Sequence, residues 1–164
     1  MSRIIAFLFC LGLIGCSPSL NWRQVDIGDM QVFLPCKPDR AQRSVTFASI
    51  TLPMRMAGCK AEGALFAVSH VQADSHEQAR TIAQSWQAQS LSKLNSVAPK
   101  VLKMPASKQT QTDESVYWHI QGIDANRSPV QAQLLWKIKG KDVYHWAVYA
   151  DLIKNEHLEP MFEP

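Results

Sequence analysis

From residue 22 onward, apolar positions recur first with a period of two, then near 3.6, then with two again. Trp22 to Val25 and Met30 to Leu34 flank Ile27-Gly28-Asp29, which predicts a hairpin with Gly28-Asp29 in its turn. Pro35 and Pro38 cannot donate to a ladder and close the second strand. Val45 to Phe47 predicts a short strand. Ile50, Leu52, Met54 and Met56 alternate with Thr51, Pro53 and Arg55, so a strand with one buried face follows, and Pro53 demands an edge or a bulge. The two methionines read as core. Leu65 to Val71 is apolar enough to be covered on both faces.

The period then changes. Ser75 and Gln78 have the spacing of a capping box, and Ala79, Ile82, Ala83, Trp86 and Leu94 fall on one stripe of a helix running to about Asn95. Pro99 enforces its exit. Val101 to Met104 is a brief strand ended by Pro105, and Ala106 to Glu114 is polar and aperiodic, a loop. Val116 to Gln121 ends at Gly122, and Asp124 to Pro129 is a turn. Val130, Ala132, Leu134, Trp136 and Ile138 alternate with Gln131, Gln133, Lys137 and Lys139. Gly140-Lys141-Asp142 turns the chain into Val143 to Ala150, which completes an antiparallel meander. Leu158, Met161 and Phe162 have helical spacing in the tail, interrupted by Pro160. The prediction is an α+β fold: an antiparallel sheet, one long helix packed on it, and a short C-terminal helix.

This order resembles the PsbP-like α/β/α sandwich shared by several small bacterial lipoproteins. The resemblance is carried by Trp22, the Gly28-Asp29 turn, Val32-Phe33-Leu34-Pro35 with Pro38, the Ser75-capped helix, the meander and the Phe-containing tail. It implies a binding or assembly accessory rather than a catalyst. Cys36 and Cys59 are not part of that general pattern and point to a narrower subfamily.

The N-terminus adds an address. Arg3 is the only charge before the apolar run Ile4 to Ile14, which is too short for the roughly 20 residues a membrane span needs and fits a secretory signal. Leu13-Ile14-Gly15-Cys16 resembles the lipobox of bacterial lipoproteins. That resemblance implies cleavage between Gly15 and Cys16 and a diacylglycerol on the Cys16 thiol. The expected division is a signal peptide at 1–15, a lipidated tether at 16–21 and one globular periplasmic domain at 22–164. By resemblance to Gram-negative lipoproteins, Ser17 after the cysteine implies the periplasmic face of the outer membrane.

Of four cysteines, Cys10 leaves with the signal and Cys16 is acylated, so Cys36 and Cys59 remain as a pair. Export makes a disulfide the expected state, with a chain-entropy contribution of about 3.5 kcal/mol. A thiolate metal pair or a redox couple is the alternative, but there is no Cys-x-x-Cys and no histidine close to either residue.

Composition adds mainly exclusions. About 150 mature residues make one domain, and a formal charge of +3 without a Lys/Arg cluster argues against nucleic acid. No Gly-x-Ser-x-Gly, His-Glu-x-x-His, P-loop or dinucleotide fingerprint is present, so neither an enzyme nor a cofactor is expected. Asn126-Arg127-Ser128 reads as a turn. His70, His119 and His145 lie on predicted strands and make a metal site if they converge on one face; otherwise they are half-buried structural residues. Tyr117, Trp118, Trp136, Tyr144 and Trp146, with Tyr149, crowd the last three strands. They either fill the core or, if the C-terminal segment leaves one face bare, form an apolar partner-binding patch. Three functions follow in order: a lipid-anchored module docking an envelope protein through that patch or the 106–114 loop, a carrier of an apolar molecule or lipid with an internal cavity, and a histidine-based metal protein.

Overall fold

The computed structural model describes residues 20–96, 99–102 and 114–162. The signal segment, Gly15, Cys16 and the predicted loop short of Glu114 lie outside the described residues. Strands β1 (Arg23–Ile27) and β2 (Met30–Leu34) form the expected hairpin, with Val25 opposite Val32. Gly28 takes the left-handed turn position at φ 56°.

The other strands are β3 (Asp39–Phe47), β4 (Ile50–Ala61), β5 (Ala64–Gln72), β6 (Lys100–Leu102), β7 (Glu114–Ile123), β8 (Pro129–Lys139) and β9 (Asp142–Ala150). They build one antiparallel sheet in the order β3-β4-β5-β9-β8-β7-β6. Helix α1 (His76–Lys93) lies between β5 and β6 in the chain, and the following meander returns until β9 pairs with β5. The domain is α+β. No described helix is long and apolar enough to cross a membrane.

Several boundaries differ from the sequence reading for identifiable reasons. β3 starts at Asp39, not Val45, because Asp39 to Ser44 are exposed whichever way they point and show no apolar alternation. β4 pairs with β3 over Ile50–Gly58 but with β5 only from Arg55, so Pro53 falls where β5 makes no demand on it. Glu114 opens β7 instead of ending a loop, and Gly122 continues that strand. A Cβ at Gly122 would sit 2.3 Å from the Leu94 carbonyl oxygen. The glycine therefore admits the end of α1, and the Ile123 amide donates to that same oxygen at 2.9 Å.

At the start of α1, Ser75 Oγ accepts the Gln78 amide at 3.1 Å, as the capping pattern requires. Gln78 answers one residue early, its Oε1 accepting the Asp74 amide at 2.7 Å. In place of the expected C-terminal α-helix there is a 3-10 turn at Asn155–His157 followed by further turns. Pro160 has no amide hydrogen to continue a helical ladder. Met161 and Phe162 are buried all the same.

The sheet separates two apolar layers. On one side Ile82 and Trp86 of α1 pack with Phe47, Leu134, Trp136 and Val143. On the other, hairpin residues Val25, Val32 and Leu34 and tail residues Met161 and Phe162 pack with Phe66, Val68 and Trp146. The second layer is thus a two-stranded hairpin plus the tail. Cys36 and Cys59 are joined in a disulfide, tying the exit of β2 to β4. The strands have two ends: Gly28, His70 and Gly140 lie at one, and residue 20, Gly63, Ala150 and the 124–128 turn at the other.

Candidate functional site

At the Gly28 end, the hairpin tip stands over β3 and β4 and leaves two adjoining recesses of about 460 and 190 Å³. They share Gly28, Gln42 and Arg55. The larger adds Asp26 and Arg40; the smaller is floored by His70, Gln72 and Asp142. Register explains the floor: Gln72 lies opposite Asp142, and His70 lies opposite Tyr144. His70, two residues from Gln72, therefore reaches Asp142 on the diagonal, with Nε2 2.8 Å from Oδ1. The same oxygen accepts Gln72 Nε2 at 3.2 Å. The Tyr144 ring stacks against the imidazole at 4.8 Å, and its hydroxyl accepts the Asp29 amide at 3.3 Å. Burial holds the Tyr144 phenol above its ordinary pKa.

Gly28 completes the floor. A Cβ there would lie 2.9 Å from the His70 ring, so only a glycine lets the turn rest on the imidazole. Nε2 of His70 donates its N–H to the Asp142 carboxylate. Arg40 donates one bond to the Asp26 carbonyl at 2.9 Å and keeps its other donors. Among the described residues lining the recesses there is no hydroxyl or thiol. The arrangement offers charge and fixed hydrogen-bonding groups.

The expected aromatic patch does not form. Trp136, Tyr144 and Trp146 are fully buried, the first on the helix side and the other two under the hairpin. Tyr117 stacks on Phe162 at 5.2 Å and donates its hydroxyl to Gln133 Oε1; burial pushes its pKa up to about 12. Trp118 meets Trp136 edge-on at 5.1 Å. The condition for a bare face fails because the hairpin and the tail cover it.

The three strand histidines do not converge. His145 pairs with Ser69 and contacts Trp86 and Trp136 on the helix side, whereas His70 faces the hairpin. His119 and His70 are three strand steps apart in the sheet order, roughly 14 Å. Burial, followed by the charge of Lys93, lowers the His145 pKa to about 3.

A different group gathers at the opposite end: ligand atoms of Glu62, Glu156 and His157 lie within 4.8 Å of one another. His157 is 1% exposed, and its Nδ1 accepts the Lys154 amide at 3.3 Å. That bond leaves the N–H on Nε2, which faces Glu62 Oε2 at 3.6 Å, beyond hydrogen-bond distance. Lys154 also pairs with Glu156 at 3.2 Å. The group fastens the tail to the β4–β5 turn.

Between α1 and β7–β8 lies an open groove of about 360 Å³, lined partly by Ala83, Val116, Trp136 and Ile138. Arg80 and Glu114 also line it, with the Arg80 Nε donating to both carboxylate oxygens at 2.9 and 3.0 Å. That hydrogen bond lowers the Glu114 pKa and raises that of Arg80.

No protein-family model, curated protein or solved structure matches this chain. The sequence reading missed Asp142, Arg55 and Gln42: Gln42 and Arg55 face each other across the β3–β4 pair, whose register was not legible, and Asp142 joins them only through the pairing of β9 with β5 and the hairpin overlay. His157 left no local signal either. The Gly28-Asp29 turn was visible, but not that it rests on an imidazole.

Proposed function

We propose that this chain is a lipid-anchored cell-envelope protein without catalytic activity, which binds a polar segment of an envelope partner in the cleft at the Gly28 end. In this reading, residues 1–15 are a signal peptide, Cys16 carries the lipid, and the domain faces the periplasm from the outer membrane. The fold is proposed as a variant of the PsbP-like sandwich, its second outer layer made by the hairpin and tail. The observation that carries the binding role is the cleft floor. His70 and Asp142, both largely buried, are locked together beneath a glycine turn, with Arg40 and Arg55 available at the rim to a carboxylate. The disulfide supports export. The cleft also opens at the strand ends opposite residue 20, away from the anchor.

Photo-crosslinking from position 42 in intact envelopes tests the cleft. A discrete protein adduct is expected, and Arg55→Glu should abolish it while the variant stays folded by circular dichroism. An adduct that survives Arg55→Glu, or none at all, overturns the assignment.

A second reading, a carrier of an apolar molecule, is favoured by the groove beside Trp136. Organic extraction of protein purified from its own envelope, followed by mass spectrometry, should yield a stoichiometric ligand if it is correct.

A further inference from the structure

We propose that the strand ends around Leu65, Ile123 and Leu152 are a membrane-contacting base, seated in the headgroup layer of the bilayer that holds the acyl chains. The inference rests on the lipid-anchor reading above and adds an orientation to it. The first argument is the length of the leash. From Cys16 to Leu20 there are four peptide steps, at most about 14 Å when fully extended. Leu20 is not loose: it packs against the hairpin-side core, and the next residue, Asn21, donates its amide to the Pro35 carbonyl at 2.7 Å. The headgroup layer is about 5–7 Å deep on each side of the hydrocarbon. A body fixed at residue 20 on such a leash rests against the membrane surface.

The second argument is what that end presents. The exposed large apolar side chains of the described residues are Leu65 at 38%, Val101 at 69%, Ile123 at 45% and Leu152 at 64%. Val101 is on the edge strand β6. The other three all lie at the Gly63 end. Leu65 opens β5 opposite Lys60, Ile123 closes β7 opposite Pro129, and Leu152 follows β9, whose last residue Ala150 pairs with Gln131. Single exposed leucines are ordinary; here Leu65 and Ile123 stand on opposite faces of the sheet, three strands apart, so the apolar side chains mark the rim of one end of the sheet, the end from which the leash emerges. Both signs of charge occur at that end of the strands, Lys60 and Arg127 as well as Glu62 and Asp151, so seating does not depend on anionic lipid. The Gly28 end stands about 26 Å further out, the length of β5.

The test uses the full, processed protein in phosphatidylcholine vesicles. A single cysteine replaces Leu152 or, at the far end, Lys141, and is labelled with an environment-sensitive fluorophore; Cys36 and Cys59 are already bonded. Headgroup-level spin-labelled lipid should remove most of the fluorescence from position 152 and none from position 141, with or without anionic lipid. Equal quenching, or none, at both positions in protein that floats with the vesicles overturns the base and leaves the anchor standing. Protein that does not float and has no acyl mass on Cys16 overturns the anchor and the base with it.

Discussion

His145 makes the fold sensitive to acid in a calculable way. Its ring lies between Trp86 and Trp136, each 4.7 Å away, and Nε2 has no hydrogen-bond partner. Burial and Lys93 hold its pKa at about 3, against 6.5 for the free side chain. Between those values the unfolded chain binds a proton that the folded chain refuses, so stability falls as pH falls from 6.5 towards 3 and is intact above 7. At 1.36 kcal/mol per unit, acidification from pH 7 to pH 5 removes about 2 kcal/mol through this residue alone. With a urea slope of roughly 1–3 kcal/mol per molar, the unfolding midpoint should drop by about 1 M. His145→Leu removes the titration, and every other ionisable group is common to both proteins and cancels in the comparison. Urea melts followed by tryptophan fluorescence at pH 7 and pH 5 should show a pH effect smaller by about 2 kcal/mol in the variant. Equal pH effects, within about 0.5 kcal/mol, would mean that His145 is not held neutral, and the reasoning fails.

Trp146→Ala should destabilise the domain by about 3–5 kcal/mol in the same melts, because the ring is fully buried under the hairpin and not part of a docking surface. Gly122→Ala drives a methyl group into the Leu94 carbonyl and should cost about 1–3 kcal/mol, read as a lowered thermal midpoint; an unchanged midpoint would show that the helix end is not held there. Replacing both Cys36 and Cys59 with serine should lower stability by about 3.5 kcal/mol, and a reductant should then have no further effect on the melt.

The strands that bury one face were legible from their alternation, as were α1 from its stripe and cap and the disulfide from cysteine arithmetic. β3 was legible only at its end, because an edge strand exposed on both faces has no period to read. The tail's apolar residues marked its burial but not its backbone, since the same spacing serves a helix or a string of turns. The aromatic residues do crowd the last three strands, but they divide between the two faces of the sheet. Tyr144 and Trp146 owe their burial to a cover supplied by the hairpin, more than 100 residues away in the chain, and Trp136 owes its burial to the helix side. The cleft was unreadable for the same reason: His70 and Asp142 are 72 positions apart and meet only once β9 has paired with β5.

The disulfide also governs how the outer layer can move. A lone two-stranded ribbon is marginal in water, so the hairpin persists by what holds it to the sheet. One end is riveted through Cys36 to Cys59; the other is held by the seat of Gly28 on His70 and the Asp29–Tyr144 hydrogen bond. The ribbon cannot slide or lift off whole. Were it to part from the sheet, it would do so like a clothes-peg, from the noncovalent jaw, and a guest too large for the resting cleft would have to lift Gly28 off His70 against the buried side chains behind it.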